Sequence, residues 1–158
     1  MSGRPPVNPF YLRRQHNKRP PKLRLYADEM WSYVGTKHAQ RWLWWVEDEH
    51  TGQVVAYVFG RRTHATFRGL LAALRAAGLR VNRWITDAWG AYTACLEAPK
   101  HPIDKTQLQR LERKHLTLRT RLKRLARKTI CFSKSVFFHD GIIRLFIHDF
   151  FFKPAGTS

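Results

Sequence analysis

Three acidic residues lie in sequence settings that suit metal-dependent phosphoryl transfer. Asp28 follows an alternating apolar run, Asp87 ends the apolar run 81–87, and Glu112 is the single acid in the Lys/Arg-rich stretch 106–128. Phosphoryl transfer needs mainly positioning and charge neutralisation, which two Mg²⁺ ions about 3.5–4 Å apart can supply when carboxylates hold them. We therefore predict that these three carboxylates meet around Mg²⁺ and that Mn²⁺ substitutes for it.

Each of these acids also has a structural interpretation. An Asp at a strand end is often a cap or turn residue, and Glu112 could pair with Arg113 or Arg119 on a solvated helix. The other acids considered are poorer ligands because of their predicted positions. These are Glu29 on the opposite strand face from Asp28, Asp48 and Glu49 in a hairpin turn, and Asp104 in a Pro-flanked loop.

The charge of the chain predicts a nucleic-acid partner. Its 158 residues contain 29 Lys and Arg against 11 Asp and Glu, a formal net charge of +18. Such a charge attracts phosphate backbones with salt-sensitive affinity. An anionic membrane is the alternative partner, but no apolar run approaches the roughly 18 residues needed to span a bilayer, and the start lacks a signal-peptide core. We therefore expect a cytoplasmic protein.

Basic residues around and after Glu112 are the predicted DNA contacts, since they would bring phosphates beside the acids. They are Arg113, Lys114, Arg119, Arg121, Lys123, Arg124, Arg127, Lys128 and Lys134. His115 fills an apolar helix position near Glu112 and is predicted to support the site or the core rather than bind metal. Trp89, near Asp87, either stacks on an unpaired base or packs in the core.

Two other groups of potential ligands are predicted to be structural. Cys95 and Cys131 have neither Cys-x-x-Cys nor zinc-finger spacing and are predicted to be buried free thiols. The pairs His139-Asp140 and His148-Asp149 resemble metal ligands, but adjacent helix residues point about 100° apart. We therefore predict surface or capping roles for both pairs.

The apolar periodicity predicts an α/β fold. Alternation from Leu23, then the runs 41–46 and 53–59, predicts a three-strand antiparallel meander. A helix capped by Thr63 and stopped by Gly78, and a short buried strand over 81–87, follow. Further helices are predicted over 88–97, over 106–128, where the long basic helix lies, and from Ser133. The mixed sheet is therefore expected to be flanked by helices.

Composition divides the chain into three parts. Residues 1–22 are rich in Pro and basic residues without an acid and are predicted to be a flexible arm. Residues 23–152 form the predicted catalytic domain, and residues 153–158 form a tail.

Ordered segments of the chain resemble the InsB-type catalytic part of insertion sequence 1 transposases, from about Leu25 to Ile143. The segments that carry the resemblance are Asp28-Glu-Met-Trp-Ser-Tyr-Val-Gly35, Arg41-Trp-Leu43, Val58-Phe-Gly-Arg61, Thr86-Asp-Ala-Trp89, Gln109-Arg-Leu-Glu-Arg113, Leu116-Thr-Leu-Arg119 and Phe132-Ser-Lys-Ser135.

The resemblance implies a ribonuclease H-like fold and DDE chemistry, with Asp28, Asp87 and Glu112 matching the three family acids. It implies cleavage at the ends of an insertion sequence, followed by attack of the freed 3′-hydroxyl on target DNA. It also implies a homo-multimer on DNA, a nucleoid-associated bacterial location, and fusion to or partnership with a protein bearing a zinc finger and helix-turn-helix. Two departures are Arg113-Lys114-His115, where many relatives have Arg-His-Asn, and Phe137-Phe138 before His139.

Two alternatives to the transposase remain at this level. The chain could be a non-catalytic DNA-binding or regulatory product that lacks the finger-bearing half. It could also be a resolvase-like nuclease on the same fold, which cuts DNA without joining it.

Overall fold

The computed structural model describes residues 3–16, 23–86, 95–96, 100–102 and 135–152, together with residues 109, 110, 112, 113, 116, 117 and 120. Within them the strands are β1 (Leu23–Tyr33), β2 (Gln40–Asp48), β3 (Val54–Gly60), β4 (Val81–Thr86) and β5 (Lys100–Pro102). The helices are α1 (Pro9–His16), α2 (His64–Ala76) and α3 (Val136–Phe146), and a π-helical turn, Ile147–Phe151, continues α3.

The strands form one mixed sheet in the order β3-β2-β1-β4-β5. The first three strands are the antiparallel meander that the sequence predicts, because β1 pairs with β2 and β2 with β3 in antiparallel register. Strand β4 lies parallel to β1 on the other side, and β5 lies parallel to β4. The sheet therefore places β1, which carries Asp28, at its centre.

Helix α2 covers one face of the sheet. Its predicted N-cap is confirmed, since the Thr63 side chain accepts a hydrogen bond from the Thr66 amide, and Gly78 follows with a left-handed φ of 78°. The apolar positions of α2, with Phe67 and Leu70 fully buried, pack with Leu25 and Trp44 of the sheet. This face holds the larger apolar core.

Helix α3 packs on the opposite face. Ile143 and Phe146 form a second apolar cluster with Met30 of β1 and Trp45 of β2. The alternation of side chains along β1 separates the two faces, because Leu25 and Ala27 point to α2 while Met30 points to α3. Asp28, two positions from Met30, shares the α3 face.

The composition predicts a flexible arm over 1–22, whereas described residues of this segment contact the sheet. The Asn8 amide donates to the Val55 carbonyl at 2.7 Å, and the Asn8 side chain donates to the Val54 carbonyl at 2.8 Å. Tyr11 is 1% exposed, packs in the α2-side core and donates its hydroxyl to Asp48 at 2.7 Å. These contacts attach Asn8 and the following helix α1 to the sheet despite their polar, Pro-rich surroundings.

Strand β5 and a helical segment follow β4 in the sequence, and the described residues cover the later helix predictions only in part. Strand β5 lies between the helices predicted over 88–97 and 106–128, and it contributes three residues paired with β4. The described residues between 109 and 120 are helical, and Thr117 Oγ1 donates to the Arg113 carbonyl at 2.9 Å. The remaining positions of the helices predicted over 88–97 and 106–128 lie outside the described residues, apart from Cys95 and Leu96.

Candidate metal and DNA site

Asp28 lies in the middle of the central strand. It is opposite Trp45 of β2, is partly buried, and accepts a hydrogen bond at Oδ1 from the Glu29 amide at 2.9 Å. Strand alternation places it on the same face as Met30 and Ser32, both of which contact residues of α3. The carboxylate is thus fixed on a rigid element, as a metal ligand must be.

Glu29 has a different role from its neighbour. Arg62, just before α2, donates to Glu29 Oε1 from Nη2 at 2.7 Å and from Nε at 3.2 Å, and the Glu29 side chain is only 4% exposed. The same guanidinium lies over the Trp42 ring, 4.9 Å from its centroid. Glu29 therefore stabilises the α2 side of the sheet, in agreement with its predicted orientation away from Asp28.

The register between β1 and β4 bears on the second predicted acid. Tyr26 pairs with Ile85 in the parallel ladder, and Leu25 pairs with Trp84. Asp28 comes two positions after Tyr26 in the sequence, and Asp87 comes two positions after Ile85. Asp87 itself lies outside the described residues, which end on this strand at Thr86.

Glu112 lies in the helical segment and is exposed, as is Arg113. Nearby Arg110 donates to the Glu49 carbonyl at 3.4 Å, which places this part of the segment beside the β2–β3 turn. Among the described residues, no three His, Cys, Asp or Glu side chains lie close enough to hold a metal ion together. Asp28 and Glu112 are thus placed individually, and the predicted triad is not assembled from described residues.

Most of the other predicted contacts fall outside the described part of the chain. Of the predicted DNA-binding residues, Arg113 alone is described. The remaining predicted DNA-binding residues lie outside the described part of the chain: Lys114, Arg119, Arg121, Lys123, Arg124, Arg127, Lys128 and Lys134. His115 and Trp89 also lie outside it.

His139 corrects a prediction from sequence. It is fully buried rather than on the surface, and its Nε2 forms a 2.8 Å hydrogen bond with Ser32 Oγ. Asp140 forms an ion pair with Arg41, the residue opposite Ser32 on β2. Two consecutive residues of α3 thereby bind two neighbouring strands on the Asp28 face. The signal that sequence reasoning missed is the Ser32–His139 match, which is visible only once β1 and α3 are adjacent.

The second His-Asp pair lies at the surface, as predicted. His148 Nε2 nevertheless forms a 2.9 Å hydrogen bond with the hydroxyl of buried Tyr57. Burial raises the pKa of Tyr57 above its ordinary value, while Arg144 opposes the shift. Partial burial, together with the positive charge of Arg144, lowers the pKa of His148. The pair therefore favours a neutral imidazole hydrogen-bonded to a neutral phenol.

Cys95 is a free thiol, as predicted, but it is only partly buried. It lines a cavity of about 250 Å³ between α2 and β4. Cys131 lies outside the described residues.

Most of the chain is similar in sequence to known proteins. Residues 24–153 match the family described as IS1 transposase. The chain belongs to the IS1 transposase family. It is 49% identical over 125 residues to the insertion element iso-IS1n protein InsB of Shigella dysenteriae, covering 79% of this chain and 94% of that protein. It is 48% identical over 116 residues to the IS1 protein InsB of Shigella flexneri, covering 73% and 87%.

Solved structures with low sequence identity share the fold. The catalytic domain of Mos1 mariner transposase is similar with a TM-score of 0.53 at 13% identity, covering 94% of this chain and 77% of that chain. The Mos1 paired end complex with Mn gives 0.52 at 14% identity, covering 94% and 52%. A chain of the simian T-cell lymphotropic virus intasome gives 0.50 at 22% identity, covering 63% of this chain and 39% of that chain.

Together these findings confirm the α/β ribonuclease H-like fold and the transposase assignment. As a DDE transposase of the IS1 family, the chain is a polynucleotidyl transferase that acts in DNA transposition. No helix among the described residues is long and apolar enough to cross a membrane.

Proposed function

We propose that Asp28, Asp87 and Glu112 are the metal ligands of this IS1-family transposase and that it cleaves DNA strands at element ends and joins them to target DNA. The observation that carries the proposal is the central position of Asp28 on β1 beside parallel β4. Continued for two more residues, the described register would bring Asp87 opposite Asp28. Glu112 would complete the set from the helical segment.

The donor set fits a hard divalent cation. Three carboxylates offer the oxygen ligands that Mg²⁺ prefers, and Mn²⁺ accepts the same donors. The Asp28 carboxylate is held in place, because its Oδ1 accepts a hydrogen bond from the Glu29 amide. A bound Mg²⁺ would neutralise charge developing on the reacting phosphate. The Mn in the Mos1 paired end complex, which shares the fold, supports a divalent ion.

The protein residues themselves would position the DNA. Arg113 follows Glu112 directly and is exposed, so its guanidinium can contact a phosphate close to that acid. The other predicted contacts named above, from Lys114 to Lys134, would extend this cationic surface. Because such contacts read the backbone, we propose that this chain alone binds DNA with little sequence preference and that a zinc-finger and helix-turn-helix partner supplies recognition of the element ends.

The proposed assembly is a homo-multimer on DNA in the bacterial nucleoid. Joining an element to a target requires that both of its ends be held together. The paired end complex of Mos1 supports this arrangement for a chain of the same fold.

The test is cleavage and strand transfer of a labelled element end, with this chain alone and with the finger-bearing partner. Asp28→Asn, Asp87→Asn and Glu112→Gln should each lower metal-dependent cleavage at least about 100-fold, the loss typical of removing one strong electrostatic contact. Asp149→Asn is the control, because Asp149 is an exposed acid on the α3 side. Full cleavage by the three site variants would overturn the proposal. If the unmutated chain with its finger-bearing partner cleaves the element end but does not join it to target DNA, the chain is a nuclease instead.

A further inference from the structure

Helix α2 exposes a basic surface that the proposed site does not use. Its solvent side carries Arg68 and Arg75, and Arg61 lies just before the cap at Thr63. We call these three residues the α2 arginine ridge. Helix α2 contains no acidic residue, and all three arginines are exposed.

The ridge is not accounted for by ion pairs within the described part of the chain. The described ion pairs engage Arg24, Arg41 and Arg62 instead. Arg75 has a partial structural explanation, since a cation in the last turn stabilises the helix C-terminus. Arg68 in the middle of α2 has no such explanation.

The geometry of the ridge suits a nucleic-acid backbone. Arg68 and Arg75 are two turns apart on one side of the helix, about 10.5 Å along its axis, and the major groove of B-DNA is about 12 Å wide. The exposed α2 residues between and beside them are His64, Ala65, Ala72 and Ala76, and the three alanines leave room for a duplex to approach. The Arg61 carbonyl accepts a hydrogen bond from Trp44 Nε1 at 3.2 Å, so the backbone at the Arg61 end of the ridge is held in place.

The ridge lies on the far side of the sheet from the candidate site. Phe67 and Leu70 of α2 pack on the face that holds Leu25, whereas Asp28 shares the α3 face with Met30. A straight duplex bound at Asp28 would therefore not reach the outer side of α2. We propose that the α2 arginine ridge is a second DNA-binding surface, which holds the phosphate backbone of a duplex segment other than the one positioned at Asp28.

The test is DNA affinity without a divalent metal, so it is independent of the proposed metal site. Affinity for a duplex of unrelated sequence is measured from 50 to 200 mM salt in EDTA. The double variant Arg68→Gln/Arg75→Gln is compared with Lys37→Gln/Arg144→Gln, which removes the same charge from two exposed residues off the ridge. The charge-conserving variant Arg68→Lys/Arg75→Lys and thermal unfolding of every variant control for folding.

The ridge variant should lose about 2 units of the slope of log affinity against log salt and bind at least about tenfold more weakly at 100 mM salt. The lysine variant should keep most of the slope, and the off-ridge variant should keep its slope to within about half a unit. A photoreactive residue at Ala72, between the two arginines, should cross-link to the duplex. Equal losses in the ridge and off-ridge variants, or no cross-link at Ala72, would overturn the proposal. Binding to anionic vesicles is measured as well. A ridge variant that binds DNA as the wild type does but has lost binding to anionic vesicles would also overturn the proposal.

Discussion

The buried Ser32–His139 hydrogen bond provides the sharpest test of how α3 is held on the sheet. Ser32 is 5% exposed and His139 is fully buried, so neither side chain can readily exchange its partner for water. Ser32→Ala removes one oxygen, which takes from His139 Nε2 its 2.8 Å contact and from the Arg41 carbonyl a 3.2 Å hydrogen bond. Leaving a buried polar group with a lost partner costs about 1–3 kcal/mol.

That free energy predicts a measurable shift. For a chain of this size, 1 kcal/mol corresponds to about 2–4 °C in Tm, so Ser32→Ala should lower Tm by roughly 2–12 °C. Urea denaturation should show a lower midpoint with an unchanged m value. Ser135→Ala is the matched control, because Ser135 directly precedes α3 and its side chain makes no capping hydrogen bond. It should stay within about 0.5 kcal/mol of the wild type.

A double-mutant cycle then separates the contact from general damage. Ser32→Ala combined with His139→Ala should cost less than the sum of the single changes by about 0.5–3 kcal/mol, since either change alone breaks the same bond. A Ser32→Ala variant as stable as the Ser135→Ala control would refute the reasoning. Strictly additive single changes would refute it equally.

Two further predictions concern the α2 cap and the π-helical turn. Thr63→Ala should reduce the free energy of unfolding by about 1 kcal/mol, because the Thr66 amide loses its acceptor. Urea denaturation of the control Thr63→Ser, which keeps the hydroxyl, should show little change. Equal losses in both variants would contradict the capping role. The pKa of His148 is lowered in the folded protein, so the unfolded chain binds more protons as the pH falls. The contribution of His148 to stability should therefore be fully present above about pH 6.5 and be lost as the pH falls through the folded-state pKa. Thermal melts from pH 7.5 to 5 should show a smaller decline for His148→Gln, and an identical decline in both proteins would contradict this assignment.

The elements that the sequence predicts correctly are those with a local signal. The alternation in β1 and the apolar spacing in α2 are visible within one element, and Thr63 and Gly78 mark the helix boundaries. Strand β5 has no such signal, because it is three residues long, ends in Pro102 and is defined by pairing with β4. Its existence depends on tertiary contact rather than on propensity.

The same distinction explains the differences at single residues. His139 next to Asp140 resembles a surface pair, but Ser32, 107 positions away, provides the partner that allows burial. Tyr11 lies in a segment whose composition predicts flexibility, yet its ring enters the core and its hydroxyl reaches Asp48. At the candidate site, the strand position and face of Asp28 are predictable from alternation. The convergence of Asp28 with Asp87 and Glu112 depends on how distant segments pack, so it stays a prediction.

The most direct measurement of the metal site is the anomalous scattering of Mn²⁺ in crystals of this chain with an element-end DNA. We predict a peak within coordination distance, about 2.0–2.3 Å, of carboxylate oxygens from Asp28, Asp87 and Glu112. The peak should be lost in Asp28→Asn crystals grown in the same way. A Mn²⁺ peak at a site that excludes Asp28, or no peak near it at a saturating metal concentration, would contradict the proposed site.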